Sequence, residues 1–112
     1  MSQDEQKHKP ITLPVACTLS APDEIEERRA VVEDIFAGVT EYHELTDGYE
    51  LVFPGDEAHA RRLMQFVAAE RLCCPFLSFE LVFEQAGGPI HLTLRGGEGV
   101  KDFLGDWLKA LS

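Results

Sequence analysis

The chain has 112 residues, enough for one domain with a single hydrophobic core. Twenty acidic residues against ten basic ones give a formal net charge of −10, which argues against binding to the phosphate backbone of nucleic acids. The apolar runs are too short to span a membrane and the charged start lacks the apolar stretch of a secretory signal, so we expect a cytoplasmic protein. Three cysteines without an export signal predict thiols rather than a disulfide framework.

The first predicted element follows a polar arm. Residues 1–10 are expected to form a disordered N-terminal arm, and residues 11–112 a single α+β domain. From Leu13 to Leu19, apolar residues alternate with small or polar ones at a period of two. This alternation predicts a strand that carries Cys17 on its apolar face.

A helix and a hairpin are predicted next. Pro22 and the acidic residues after it suit the first turn of a helix, which Gly38 is expected to end. Residues 39–45 and 49–53 then read as two strands. The dipeptide Asp47-Gly48 between them is a strong signal for a tight turn.

The central helix is predicted from Glu57 to about Cys74, because Asp56 can cap its start and Pro75 opposes its continuation. A second hairpin and a last helix from Val100, with an apolar stripe at helical spacing, complete the chain. The order βαββαββα predicts a two-layer α+β sandwich, an antiparallel sheet with helices on one face, broadly ferredoxin-like.

The end of the central helix carries the most informative residues. On a helical wheel, Glu70, Cys73 and Cys74 share the apolar stripe that includes Leu63. A carboxylate on a core face is costly unless it is paired or protonated, so Glu70 could be a ligand, a proton acceptor or a proton donor. If the apolar side of the first strand faces this helix, Cys17 joins the group.

Thiolates favour soft metal ions, such as Hg(II), Cu(I), Zn(II) or trivalent arsenic. We therefore expect a metal site formed by Cys17, Cys73 and Cys74 with Glu70 in support, in a protein whose function is soft-metal binding. Adjacent cysteines are not a Cys-x-x-Cys motif, so neither a zinc ribbon nor a thioredoxin site is indicated.

Three alternatives stay open. The thiols could capture an organomercurial while Glu70 protonates its carbon, or Cys17 could form a redox switch with Cys73 or Cys74. The cysteines could instead simply pack in a structural or interaction domain. The histidines His43, His59 and His91 are expected at the surface, and an edge strand with an acidic surface is compatible with a homodimer.

The segments 16–19 and 70–79 and the glycine-rich turn at 96–99 resemble a little-characterised family of small bacterial proteins. The resemblance covers about residues 13 to 108, and the Cys-Cys-Pro-Phe block is its most distinctive part. Similar segments are associated with regulators of the mercury-resistance type. The resemblance implies a link to thiophilic metals, carried here by Cys17, Cys73 and Cys74. The regulator role is not implied, since this chain shows no DNA-binding segment of its own.

Overall fold

The computed structural model describes residues 22–109. The predicted arm, the predicted first strand with Cys17, and residues 110–112 lie outside this range. The elements in chain order are α1 (Pro22–Phe36), β1 (Glu41–Leu45), β2 (Gly48–Phe53), α2 (Glu57–Cys73), β3 (Leu77–Phe83), a short 3-10 turn (Gln85–Gly87), β4 (Ile90–Gly96) and α3 (Val100–Lys109). Within the described range, no helix has both the length and the apolar character to cross a membrane.

The four strands form one open antiparallel sheet in the order β1-β2-β4-β3. Each of the two predicted hairpins is present, and the pairing of β2 with β4 joins them, with Leu51 opposite Leu92. The α+β class, the antiparallel sheet and the helices are thus confirmed. The full ferredoxin-like order stays a prediction, because its first strand lies outside the described residues.

The hydrophobic core lies on one face of this sheet. Its strand members alternate along β2 and β4 and are closed over by side chains of all three helices: Val32, Ile35, Phe36, Leu51, Phe53, Leu63, Phe66, Ile90, Leu92, Leu94, Val100 and Leu104. The opposite face carries charged and polar residues such as Glu50, Glu80 and Arg95. This division is the arrangement that the period-two pattern of the strands predicts.

The hairpin of β1 and β2 requires glycine at position 48, but not because Gly48 is part of the turn. Gly48 already pairs with Leu45, so the loop itself is the dipeptide Thr46-Asp47. A Cβ atom at Gly48 would lie 1.8 Å from the carbonyl oxygen of Leu94. The position therefore requires glycine because the backbone of β4 approaches it closely.

The start of α2 is capped as predicted. The Asp56 carboxylate accepts the backbone N–H of His59 at 3.2 Å. The hydrogen bonds from His59 also hold the pKa of Asp56 below its ordinary value. The cap fixes where the helix begins, and so fixes the phase at which its apolar stripe meets the core.

Alanine substitutions at two neighbouring residues of α2 test which face of this helix meets the core. We expect Leu63→Ala to lower the free energy of unfolding by about 2–5 kcal/mol, because Leu63 is 1% exposed and its loss leaves a cavity. Met64→Ala, at a residue that is 49% exposed, should change it by less than about 0.5 kcal/mol. Urea denaturation followed by circular dichroism measures both. Equal costs would mean that the helix is rotated about its axis.

The open face of the sheet carries a histidine between two carboxylates. His91 on β4 contacts Glu84 through Nε2, and its Nδ1 lies 3.4 Å from Glu50 Oε2. The hydrogen bond to Glu84 is the main cause that raises the pKa of His91 above 6.5, and the charge of Glu50 adds to it. The protonated form is therefore favoured by folding.

A raised pKa in the folded state gives a defined pH dependence. The contribution of His91 to stability should be fully present below about pH 6.5, the pKa of the unfolded chain, and be lost as the pH rises through the higher folded pKa. The urea midpoint should therefore decrease as the pH is raised above about 6.5, and it should decrease more in the wild type than in His91→Gln. Glu84→Gln removes the main partner of His91 and should therefore make the urea midpoint less dependent on pH than it is in the wild type. Identical pH profiles for all three proteins would show that this pair does not contribute.

Candidate metal centre

Three buried side chains meet at the end of α2. A carboxylate oxygen of Glu70 and the Sγ atoms of Cys73 and Cys74 all lie within 4.8 Å of one another. Glu70 is only 1% exposed, and the two cysteines are 7% and 2% exposed. The structure thus brings together the three residues that the helical wheel placed on one face. Glu70 therefore lies within the buried stripe and not at its solvent-exposed edge.

The way the helix ends brings the two thiols together. Cys74 donates its backbone N–H to the carbonyl of Glu70 at 2.7 Å, but its own angles, φ −122° and ψ 75°, are no longer helical. The Leu77 N–H then donates to the Cys74 carbonyl at 3.1 Å, which closes a turn around Pro75. Adjacent residues of a regular helix point about 100° apart. Here the change of backbone direction at Cys74 accompanies the convergence of both sulfurs on one carboxylate.

Glu70 is paired on both of its oxygens. Arg28 of α1 donates from Nη2 to Oε2, and the Cys74 thiol donates to Oε1 at 3.4 Å. A buried carboxylate without such partners would be strongly destabilising. The expectation that an inward carboxylate needs a partner is therefore fulfilled, and the partner is a cation from a different helix.

Arg28 is not among the predicted site residues, although the sequence carries a signal for it. Ile25, Arg28, Val32 and Ile35 recur at the spacing of one helix face, which places a cation in the apolar stripe of α1. An inward acid on one helix and an inward base on another predict a pair. The many acidic residues around Arg28 concealed this signal, because they suggest a wholly solvated helix start.

A cavity of about 450 Å³ opens beside the thiols. Glu70, Cys73 and Cys74 contribute to its lining. Much of the remaining wall is apolar and comes from α1 and α3: Ile25, Val32, Phe36, Phe103 and Trp107. The Trp107 ring packs against Phe36 edge-on at 5.5 Å and against Phe103 at 4.9 Å, measured between centroids. Phe103 and Trp107 of α3 thus line the cavity and also pack against the core.

The histidines named from the sequence lie away from this group. Cys17 falls outside the described residues, so its place as a third ligand stays a prediction. His59 pairs with Asp56 at the opposite end of α2. His43 and His91 lie on the polar face of the sheet, away from the thiols. None of these three histidines belongs to the group formed by Glu70 and the two cysteines.

Comparison with known proteins adds no relative. No family model matches the chain, and neither does any curated protein or solved structure.

Removal of one partner of the ion pair between α1 and α2 should cost more stability than removal of the other. We expect Arg28→Met to lower the free energy of unfolding by about 3 kcal/mol, because it leaves a buried carboxylate uncompensated. Glu70→Leu should cost less, since the longer Arg28 side chain is partly exposed and can turn its charge toward water. The double variant should recover most of the loss. Urea denaturation of the four proteins measures this cycle, and a cost below about 1 kcal/mol for Arg28→Met would refute the pairing.

Proposed function

We propose that the protein binds a soft metal ion through Cys73 and Cys74, with Glu70 as a further ligand or as the acceptor of a thiol proton. The observation that carries this proposal is the mutual proximity of the three buried ligand atoms, all within 4.8 Å. Two thiolates on one side of a pocket are a donor set that favours soft ions over Mg²⁺ or Ca²⁺. The resemblance to segments associated with mercury-resistance-type regulators points to the same class of ion.

Charge balance favours a divalent ion. The charges of Glu70 and Arg28 cancel, because the two groups form an ion pair. Deprotonation of Cys73 and Cys74 then adds two negative charges, which Hg(II) or Zn(II) neutralises and Cu(I) does not. A buried site with an unmatched charge is costly, so the two-thiolate form of the site fits a dication best. Hg(II) is the softer of the two and is therefore the divalent ion that two thiolates should bind more tightly.

The third sulfur changes this balance. If Cys17 reaches the site, as the sequence predicts, three thiolates leave one negative charge with a dication. A third soft ligand still strengthens binding of the ion itself. The affinity of a Cys17→Ser variant therefore distinguishes a two-sulfur site from a three-sulfur site, and the proposal holds with either.

The geometry favours binding over the enzymatic alternative. Protonolysis of an organomercurial requires Glu70 to donate a proton to carbon. In the ion pair with Arg28, Glu70 offers acceptor oxygens, and the Cys74 thiol is placed to donate to it. The carboxylate is thus placed to take a proton from a thiol that binds metal.

Titration of the reduced protein with Hg(II) tests the proposal. We expect one ion per chain in native mass spectrometry and the loss of one proton from each thiol that binds, because thiols bind metals as thiolates. Two protons are released by a two-sulfur site and three if Cys17 also binds, with one fewer if Glu70 keeps a thiol proton. Affinity is measured by competition with a small dithiol. The variant Cys73→Ser/Cys74→Ser should lose the bound ion, and Glu70→Gln should weaken binding by about 10–100-fold, as removal of a supporting group does in other sites.

Cys17→Ser is the matched control, since it removes one thiol of the same kind from another part of the chain. It should keep the stoichiometry of one ion per chain. The urea midpoint of every variant shows that the fold is retained. Unchanged stoichiometry in the folded Cys73→Ser/Cys74→Ser variant would refute the proposed function.

A further inference from the structure

We propose that the natural cargo of this site is a trivalent arsenic compound that carries one apolar organic group. This inference rests on the proposed function, since it uses the same two thiols as ligands. It goes further because it assigns a role to the cavity that the described residues form, whose volume exceeds that of a bare ion.

The size and lining of the cavity carry the argument. A volume of about 450 Å³ lies within the range of about 300–1,000 Å³ typical of sites for small organic molecules. Cys73 and Cys74 are part of its lining, and Val32, Phe36, Phe103 and Trp107 provide an apolar and aromatic wall. The lining also includes charged residues: Arg28, Arg29, Glu33, Glu70 and Asp106. A ligand bonded to the sulfurs thus has room for an organic substituent, which the apolar part of the wall can contact.

The chemistry of a monosubstituted arsenical matches the two thiols. An arsonous acid R–As(OH)₂ reacts with two thiols to give R–As(S–Cys)₂ and two molecules of water. Two arsenic–oxygen bonds break, two arsenic–sulfur bonds form, and the thiol protons leave with the oxygens. Arsenic remains trivalent and its bond to carbon remains intact. The pocket gains no net charge, so Glu70 can stay paired with Arg28 throughout.

The same charge argument favours arsenic over an organomercurial. A cation R–Hg⁺ is already neutralised by one thiolate, which leaves the second thiol without a function. Recruitment of both thiolates would add a negative charge to the buried site, where Glu70 already uses the positive charge of Arg28. The monosubstituted arsenical uses both sulfurs and is neutral when bound.

The test compares phenylarsine oxide with methylarsine oxide, each competed against dithiothreitol, on the reduced full chain. Because the small dithiol forms the same bonds without a pocket, the competition isolates what the cavity adds. We expect the protein to prefer the phenyl compound over the methyl compound by at least about tenfold beyond the preference of dithiothreitol. Hg(II) binding is measured in parallel.

Two variants locate the preference in the cavity. Ile25→Trp narrows it, and Val31→Trp is the matched control, because both residues lie on α1 and are 39% exposed but only Ile25 is part of the lining. Trp107→Ala removes part of the aromatic wall. The phenyl preference should fall about tenfold in Ile25→Trp and in Trp107→Ala, and persist in Val31→Trp, while Hg(II) binding stays unchanged in all three.

The outcomes separate this inference from the proposed function. If Hg(II) binds but both arsenicals bind as they do to dithiothreitol, the inference is overturned and metal binding stands. A phenyl preference that survives both cavity variants also overturns it. If neither Hg(II) nor the arsenicals bind, the proposed function fails as well.

Discussion

The pairing of a buried carboxylate with a guanidinium from another helix is the constraint on which this structure depends. Glu70 lies on the core face of α2, where an uncompensated charge would be destabilising. Arg28 removes that penalty only if α1 lies against α2 at one register. An apolar contact alone would tolerate small shifts of one helix along the other, whereas a buried ion pair specifies a position. The same pair that makes Glu70 tolerable therefore fixes one wall of the cavity.

The second wall depends on the end of α2. Pro75 opposes a continued helix, and the chain turns into β3 within three residues. Because β3 pairs with β4, this turn is anchored to the sheet rather than left in a flexible loop. Cys73 and Cys74 are thus held by regular elements on both sides. Ligands on such supports keep their geometry without an ion, which lowers the cost of ordering them when one binds.

The residue pattern within a single helix or strand predicts much of this structure. The features that it does not predict depend on packing between segments that are far apart in the sequence. The phase of α2 follows from Leu63 and Phe66, so the inward position of Glu70 could be predicted from one helix alone. The close approach of β4 to Gly48 could not, because it depends on the register of two strands far apart in the sequence. The identity of the partner of Glu70 depends on which helix packs beside α2, and that choice is made by the whole core.

The acidic surface and the buried site act on cations in different ways. The net charge of −10 attracts cations of every kind, and exposed carboxylates can hold hard ions only weakly in water. Entry into the site between α1, α2 and α3 requires an ion to lose its hydration shell, which Mg²⁺ does reluctantly. Only an ion that gains strongly from thiolate bonds recovers that cost. Under the proposed function, the burial of Cys73 and Cys74 therefore adds to the selectivity for soft ions that their sulfur atoms provide.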